Sequence, residues 1–527
     1  MPEPTSSPLH FVMILLTAFV AHSAAFDDLD QGMAALKEGR YAEAVALLKR
    51  AVEKDPTSFR ALSGLGSAYL GVSDFNKARS YLQKASRLKP SNTAVKANLA
   101  IAYSHLAQHQ KALDIYQKLI LLEPRNHELH NNLGAIYQAL NQFEKALNAF
   151  SRAASLAQGE ARYAINKGKV LELMHRMDEA LEAYKQALKY NPGSLRALLA
   201  VAMVHKNRAE YEKAAAFLRT ALKHHPHAAK AQGEMGRLYE MQGKLDAAIF
   251  HYSQALKLDV SLDQYLEELA GCYIKKEDYA SAISYYRQYV SRNPANARAH
   301  GELGIALLTS SKYFDAVQSL KKANEMAPGN THYLLALGKA YQELDKKELA
   351  SDCFAEILEN DPDNSEARLQ LGIIAFESGN IAVAEKHVRG VLALAPATID
   401  VHYYLGMINL RKGLVDAAFA SFDEMRSLTK NDERLYYGRG LAYAQSSDIR
   451  NAIINFNKAI KLNENHLQAR WELAKAYESI EDREAAYWAF KNVLLIDRNF
   501  YLKELIKKKL ERLREEEGIV DDEWQNF

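Results

Sequence analysis

Nine prolines beyond residue 8 lie on one arithmetic progression: Pro56, Pro90, Pro124, Pro192, Pro226, Pro294, Pro328, Pro362 and Pro396 each stand at 56 plus a multiple of 34. A fixed period of this length means tandem supersecondary units that bury their apolar faces against one another. Two further columns obey the same register. Every 34th residue from Ala44 to Ala486 is alanine, and twelve places earlier the column from Gly32 to Ala474 holds only glycine or alanine. Three residues after that small column stands a frequent tyrosine (Tyr69, Tyr103, Tyr137, Tyr239, Tyr273, Tyr341, Tyr443, Tyr477), and four after the alanine stands a large apolar residue, from Leu48 to Phe490. Such a pattern lets two helix backbones approach closely, with rings filling the space beside them.

On these residues the chain resembles the tetratricopeptide repeat family, whose unit is an antiparallel pair of helices, A and B. The resemblance spans residues 25–500 as fourteen units with no insertion or deletion. It implies an all-α fold, an α-solenoid coiled as a right-handed superhelix of antiparallel helix pairs. Proline closes each unit because it cannot continue helix B. Two residues later comes an N-cap type: Ser58, Asn92, Asn126, Ser194, Asn296, Asn330, Asn364, Thr398 or Asp432. Five slots carry Gln158, Val260, Lys430, Glu464 and Arg498 instead of proline with unchanged spacing, so softer turns are expected there in a continuous stack.

Residues 1–24 precede the repeats. Their apolar run Phe11–Val20 and the small residues Ala21 and Ser23 read as a secretory signal peptide, although MPEPTSSPLH lacks the usual positive charge. Export to the periplasm or the outside is the expectation, with an uncleaved membrane anchor or an unremarkable N-terminal tail as the alternatives. Residues 501–518 put Leu502, Leu505, Ile506, Leu510 and Leu513 on one helical face, as a capping helix for the last repeat would. Its Lys503, Lys507, Lys508 and Lys509 leave peripheral membrane association as a weaker option, since four glutamates offset them. The tail, 519–527, is short and acidic.

A formal charge of +2 on 527 residues gives no sign of a nucleic-acid binder. The two cysteines, Cys272 and Cys353, sit two repeats apart and read as buried apolar residues rather than a disulfide. The register accounts for the chain without a phosphate loop, nucleophile elbow or zinc-spaced cysteines, so no catalytic activity and no cofactor are expected. His224, His225 and His227 flank a repeat boundary and read as an exposed turn rather than a metal site, and His105 and His109, four apart on the A helix and its following turn, are not read as a metal site either.

The resemblance further implies that helix A lines a groove in which protein or peptide partners lie, with the second, fifth, sixth, ninth and thirteenth residues of each unit facing it. Two rows stand out there. Asn98, Asn132 and Asn166 occupy the sixth position of three consecutive units, with Asn131 beside them. Asparagine both donates and accepts, so such a row suits a peptide backbone; it resembles the asparagine ladder of the O-linked N-acetylglucosamine transferase repeats. The second row holds Leu335, Leu369, Tyr403, Tyr437 and Trp471 at the fifth position, with Arg434, Arg439, Arg470 and Lys475 near it in sequence. Repeated large apolar residues on a groove mark a recognition surface, unless neighbouring repeats bury them. The clamp by which related repeats hold chaperone C-termini needs a lysine at the fifth position, and none occurs. The expected function is a non-catalytic scaffold for protein partners in the cell envelope. The alternatives are a regulatory or substrate-presenting subunit of a glycosyltransferase or polysaccharide-secretion complex, or an intracellular co-chaperone.

Overall fold

The computed structural model describes residues 28–497 and 501–519. The leader at 1–24, the proline-free slot at 498 and the tail from 520 onward lie outside the described residues. Among these residues there is helix but no strand. From the second repeat on, each A helix runs 13 residues from the first position of its unit, as in Phe59–Gly71, Thr93–His105 and Glu433–Gln445. The B helices run 14 residues, as in Phe75–Leu88 and Ile449–Leu462. The A helix Gln264–Lys275 departs by one, with 12 residues, directly after the proline-free slot at Val260.

Contacts divide the chain into two units, Met1–Tyr265 and Leu266–Phe527. Within each, a B helix packs on the A helix before it and on the A helix after it, so helix pairs stack in tandem as an α-solenoid. The small columns explain the close packing. All fourteen alanines of the Ala44 column are 0% exposed. A Cβ added at Gly338 would stand 2.5 Å from Phe354 Cε1, and one at Gly236 would stand 2.6 Å from the Tyr252 ring. Each large residue thus covers the gap that its own unit's glycine leaves.

The turns follow one recipe. The fifteenth residue of each unit is left-handed: Gly39, Gly243, Gly379 and Gly413 in four units, but Ser73, Ala107, Asn141, His175 and Ala209 among the others, with φ between 55° and 60° for these five. The next amide donates back into the A helix, Asp74 N to Tyr69 O at 3.0 Å and Gln108 N to Tyr103 O at 2.9 Å. That is the Schellman closure, which satisfies the last carbonyls of helix A. Asp74, Asp278, Asp448 and Asp482 then cap the B helix. Of the A-helix caps expected from sequence, Ser58, Asn92, Asn126, Ser194, Asn296, Asn330, Asn364 and Asp432 accept backbone hydrogen bonds. Thr398 does not: its hydroxyl donates to Ala395 O at 2.9 Å.

After the last repeat, helix Lys503–Glu517 buries Ile506, Leu510 and Leu513 against Tyr487, Phe490, Val493 and Leu494. Leu505, placed on the same apolar face by the sequence reading, is instead 44% exposed. Lys509 Nζ bonds Glu478 at 2.5 and 2.6 Å and fixes this helix to the A helix Leu467–Ser479. Cys272 and Cys353 are both buried and form no disulfide, and burial pushes the Cys353 thiol up to about 11.

Candidate functional site

The asparagine row is tied to the chain itself. Asn98 Nδ2 donates to Ser67 Oγ at 2.9 Å, Asn166 Nδ2 to Asn131 Oδ1 at 2.8 Å, and Asn131 Nδ2 to Asn132 Oδ1 at 3.3 Å. Asn132 in turn hydrogen-bonds the buried Tyr116 hydroxyl. A peptide backbone would have to displace these bonds, so the row ties one repeat to the next before it offers anything to a ligand. The sixth position faces neighbouring repeats as much as the groove.

The fifth-position row is likewise drawn into the stack. Leu369 is only 7% exposed and presents no surface to a partner. Leu335, Tyr403, Tyr437 and Trp471 are half-buried. The rings of Tyr437 and Trp471 lean on the core phenylalanines of their own units, with centroids 6.3 Å from Phe456 and 5.4 Å from Phe490. Arg434 is engaged as well: its guanidinium bonds Asp400 Oδ1 at 2.7 Å, grips Asp432 at 2.7 and 3.0 Å, and lies 5.4 Å over the Tyr403 ring. Those carboxylates hold Arg434 above its ordinary range. Arg439 is paired with Asp423 and lies over Phe419 and Tyr443, Arg470 donates to Glu464 O, and Lys475 pairs with Glu472 at 2.7 Å. These charges are spent locally.

A different set of side chains on the same A helices forms a continuous surface. Phe376 of Ser365–Glu377 meets Tyr404 of Ile399–Arg411 edge-to-face at 5.7 Å, and Tyr404 meets Tyr403 at 5.2 Å and 76°. The exposed Arg411 lies 5.8 Å over the Phe376 ring. Ile373, Met407 and Leu441, all at the ninth position, continue the row and are half-buried. Burial raises the hydroxyls of Tyr403 and Tyr404, so both stay neutral donors. The arrangement is a chain of aromatic edges and apolar side chains crossing three repeats with a cation at one end, which suits an apolar anchor of a partner chain. The sequence carried the signal at the ninth position, where Ile373, Met407 and Leu441 recur at one-repeat spacing.

On the B-helix side of the last two repeats, a cleft of about 300 Å³ is lined by Asn457, Ile460, Leu473, Tyr477 and Trp488, the last 41% exposed. Among the described residues no three His, Cys, Asp or Glu side chains gather as metal ligands, and no helix is long and apolar enough to cross a membrane. His225 Nε2 contacts Gly193 O at 2.6 Å and so closes a repeat boundary.

Among solved structures, the chain is similar to one from the APC/C hetero-tetramer Cut9-Hcn1, at 16% identity over 92% of this chain and 95% of that one, TM-score 0.41. It is also similar to a tetratricopeptide repeat protein from Parabacteroides merdae, at 17% identity over 47% and 98%, TM-score 0.40. A third, YrrB, described as a TPR protein with an unusual peptide-binding site, matches at 22% identity over 36% and 96%, TM-score 0.34. No curated protein sequence matches significantly. Family models do match. One described as Tetratricopeptide repeat covers residues 29–93, 63–127, 165–219, 273–331 and 369–433. Others of the same description cover 209–267 and 307–371, 127–159, and 433–466. The first model alone accounts for more than half of the sequence, in the register set by the prolines and alanines, and the chain belongs to the tetratricopeptide repeat family.

Proposed function

We propose that this chain is a non-catalytic scaffold that binds a protein partner on the A-helix face of repeats eleven to thirteen, and that it works in the cell envelope after export. The observation that carries the binding site is the half-exposed array of Phe376, Tyr404, Met407 and Leu441 beside Arg411. Side chains of this type supply most of the affinity at protein interfaces, because rigid rings fill partner pockets at little entropic cost. The scaffold reading is further supported by membership of a repeat family that binds proteins and peptides. Export rests on the apolar run Phe11–Val20 and the small residues after it.

The test is capture of partners from native cells on the full chain, beside Tyr404→Ala with Met407→Ala. Both side chains are half-exposed, so the fold should tolerate their loss. A partner retained by the wild type and lost about tenfold or more with the double variant supports the site; equal recovery removes it. The intact mass of the protein isolated from cells decides the leader: a chain still carrying residues 1–24 overturns cleavage and export in soluble form.

A further inference from the structure

A second face differs in chemistry from the aromatic one. The A helices Ala161–Leu173 and Leu195–Asn207 each carry two more lysines and arginines than carboxylates, on a chain whose total is only +2. At equivalent second and ninth positions, Arg196, Lys230 and Lys169 are exposed and make no ion pair or hydrogen bond among the described residues. The carboxylates nearby are already committed. Glu234, 5% exposed, is held by Lys206 at 2.8 Å and Arg237 at 2.6 Å, Glu240 accepts from the Tyr252 hydroxyl at 2.7 Å, and Glu128 pairs with Arg162 at 3.1 Å. The positive excess lies on the fifth and sixth A helices, and Lys206 and Arg237 outnumber the one buried carboxylate they share, while Lys230 brings an exposed cation from the seventh. On the same A helices Ile165, Leu199 and Met203 are half-buried, and Lys169 also acts on Glu172, which accepts from the Tyr184 hydroxyl.

The spacing limits what fits. Packed helices stand about 8–10 Å apart, and an extended chain covers that distance in about three residues. Because Arg196 and Lys230 hold the same position in consecutive repeats, they meet side chains about three residues apart on an extended segment laid across the A helices. The Lys206–Glu234 bond ties those two helices to each other. We infer that the A-helix face of the fifth to seventh repeats is a second docking surface, for an extended acidic segment of a partner polypeptide with carboxylates at about every third residue and apolar side chains between. This deepens the scaffold reading and rests on it, but it uses other repeats than the aromatic face.

The test uses the full chain and a fluorescein-labelled decapeptide with glutamate at every third position and leucine between, read by anisotropy at low and high salt. Charge reversal by Arg196→Glu with Lys230→Glu touches only exposed side chains. The control, Lys321→Glu with Lys322→Glu on the B helix Tyr313–Met326, changes net charge equally elsewhere. Expected are salt-sensitive binding to the wild type, a loss of about tenfold or more in the first variant, and at most about a twofold change in the control. Equal losses in both variants, no loss in the first, or equal binding of the lysine counterpart peptide would each overturn the assignment. Native-partner capture dependent on Tyr404 and Met407 would still stand after such a result, so the two readings fail separately.

Discussion

Gly233 and Tyr265 show how neighbouring repeats recognise one another through a single pair of side chains. A Cβ at Gly233 would stand 1.9 Å from Tyr265 Cζ, and Gly301 and Tyr333 repeat the arrangement at 2.2 Å. Leu199, Leu335 and Tyr437 at the fifth position are followed by the alanines Ala231, Ala367 and Ala469 at the third residue of the next unit, whereas Leu369 and Tyr403 are followed by Val401 and Leu435. At five joints volume is therefore traded across the boundary, and there the fifth position belongs to packing as much as to a groove. Gly233→Val should destabilise by about 1–3 kcal/mol through overpacking against a ring that is 0% exposed. Tyr265→Ala should cost about 3–5 kcal/mol, and the double variant clearly less than the sum. A double-mutant cycle in urea checks this, and additive effects would refute the pairing. The sequence made the glycine and alanine columns legible because one period repeats them in every unit. It hid the Gly233 and Tyr265 match because that match joins two repeats and occurs only where both sizes change together. A second residue-scale test concerns His466, which caps Leu467–Ser479 by accepting Ala469 N at its Nδ1, 3.3 Å away, and packs 4.8 Å from the Tyr437 ring with Glu433 in its field. Burial lowers it from its ordinary 6.5. The unfolded chain thus binds the proton more readily, so this group's contribution is intact above 6.5 and is lost as pH falls below it. His466→Asn keeps a cap and removes the titration. The acid-side slope of the melting temperature between neutral pH and the carboxylate range should become shallower, and an unchanged slope would exclude His466 as a contributor.

At the scale of helices and turns, the same two joints recur down the chain, and their geometry can be compared unit by unit. Asp55 and Lys89, which precede prolines, have φ/ψ of −133°/90° and −131°/83°. Ala157 and Asn463, which precede Gln158 and Glu464, adopt −128°/77° and −136°/97°. The backbone is already shaped for proline at these slots. Gln158→Pro should therefore stabilise by about 0.4–1 kcal/mol, chiefly by restricting the unfolded chain. Thr429, before Lys430, sits at −149°/145°, and this joint does not share the common form. The other joint argues for glycine. Ala209 is left-handed with φ 57°, a conformation that disfavours a Cβ. Ala209→Gly should stabilise by up to about 1 kcal/mol, the strain relieved being partly offset by glycine's greater unfolded freedom. Urea unfolding of both variants checks these signs, and a destabilised Gln158→Pro would mean that its amide bonds something in the folded turn. The proline and N-cap positions were legible because those side chains favour particular backbone geometries. The left-handed fifteenth position was not, since serine, alanine, histidine and glutamate stand there as well as glycine, and it is the Schellman closure rather than the residue that imposes the conformation.

For the molecule as a whole, stability accumulates from joints between successive repeats, so a disturbance at one end should unravel locally rather than everywhere. The two candidate binding faces were only partly legible for the same reason. A groove position can be named from the register, yet whether Leu369 or Phe376 reaches the surface depends on how its neighbours pack, which the period leaves open. Helix Lys503–Glu517 tests the cumulative view. Ile506, Leu510 and Leu513 are at most 1% exposed, and each contributes about 1.5–3 kcal/mol by covering the last repeat. Leu510→Asp puts a carboxylate among the buried Tyr487, Phe490 and Val493, at a cost of several kcal/mol. The helix should detach, and the apolar side of Leu467–Ser479 and Arg483–Ile496 should meet water. Hydrogen exchange would then show protection falling steeply in residues 467–496, less in 433–462, and little in 297–360. The exposed Lys508→Ala should leave all three regions unchanged. If Leu510→Asp lowers protection uniformly from 297 to 496, the second unit opens as one cooperative body, and stability there is not a sum over neighbouring joints.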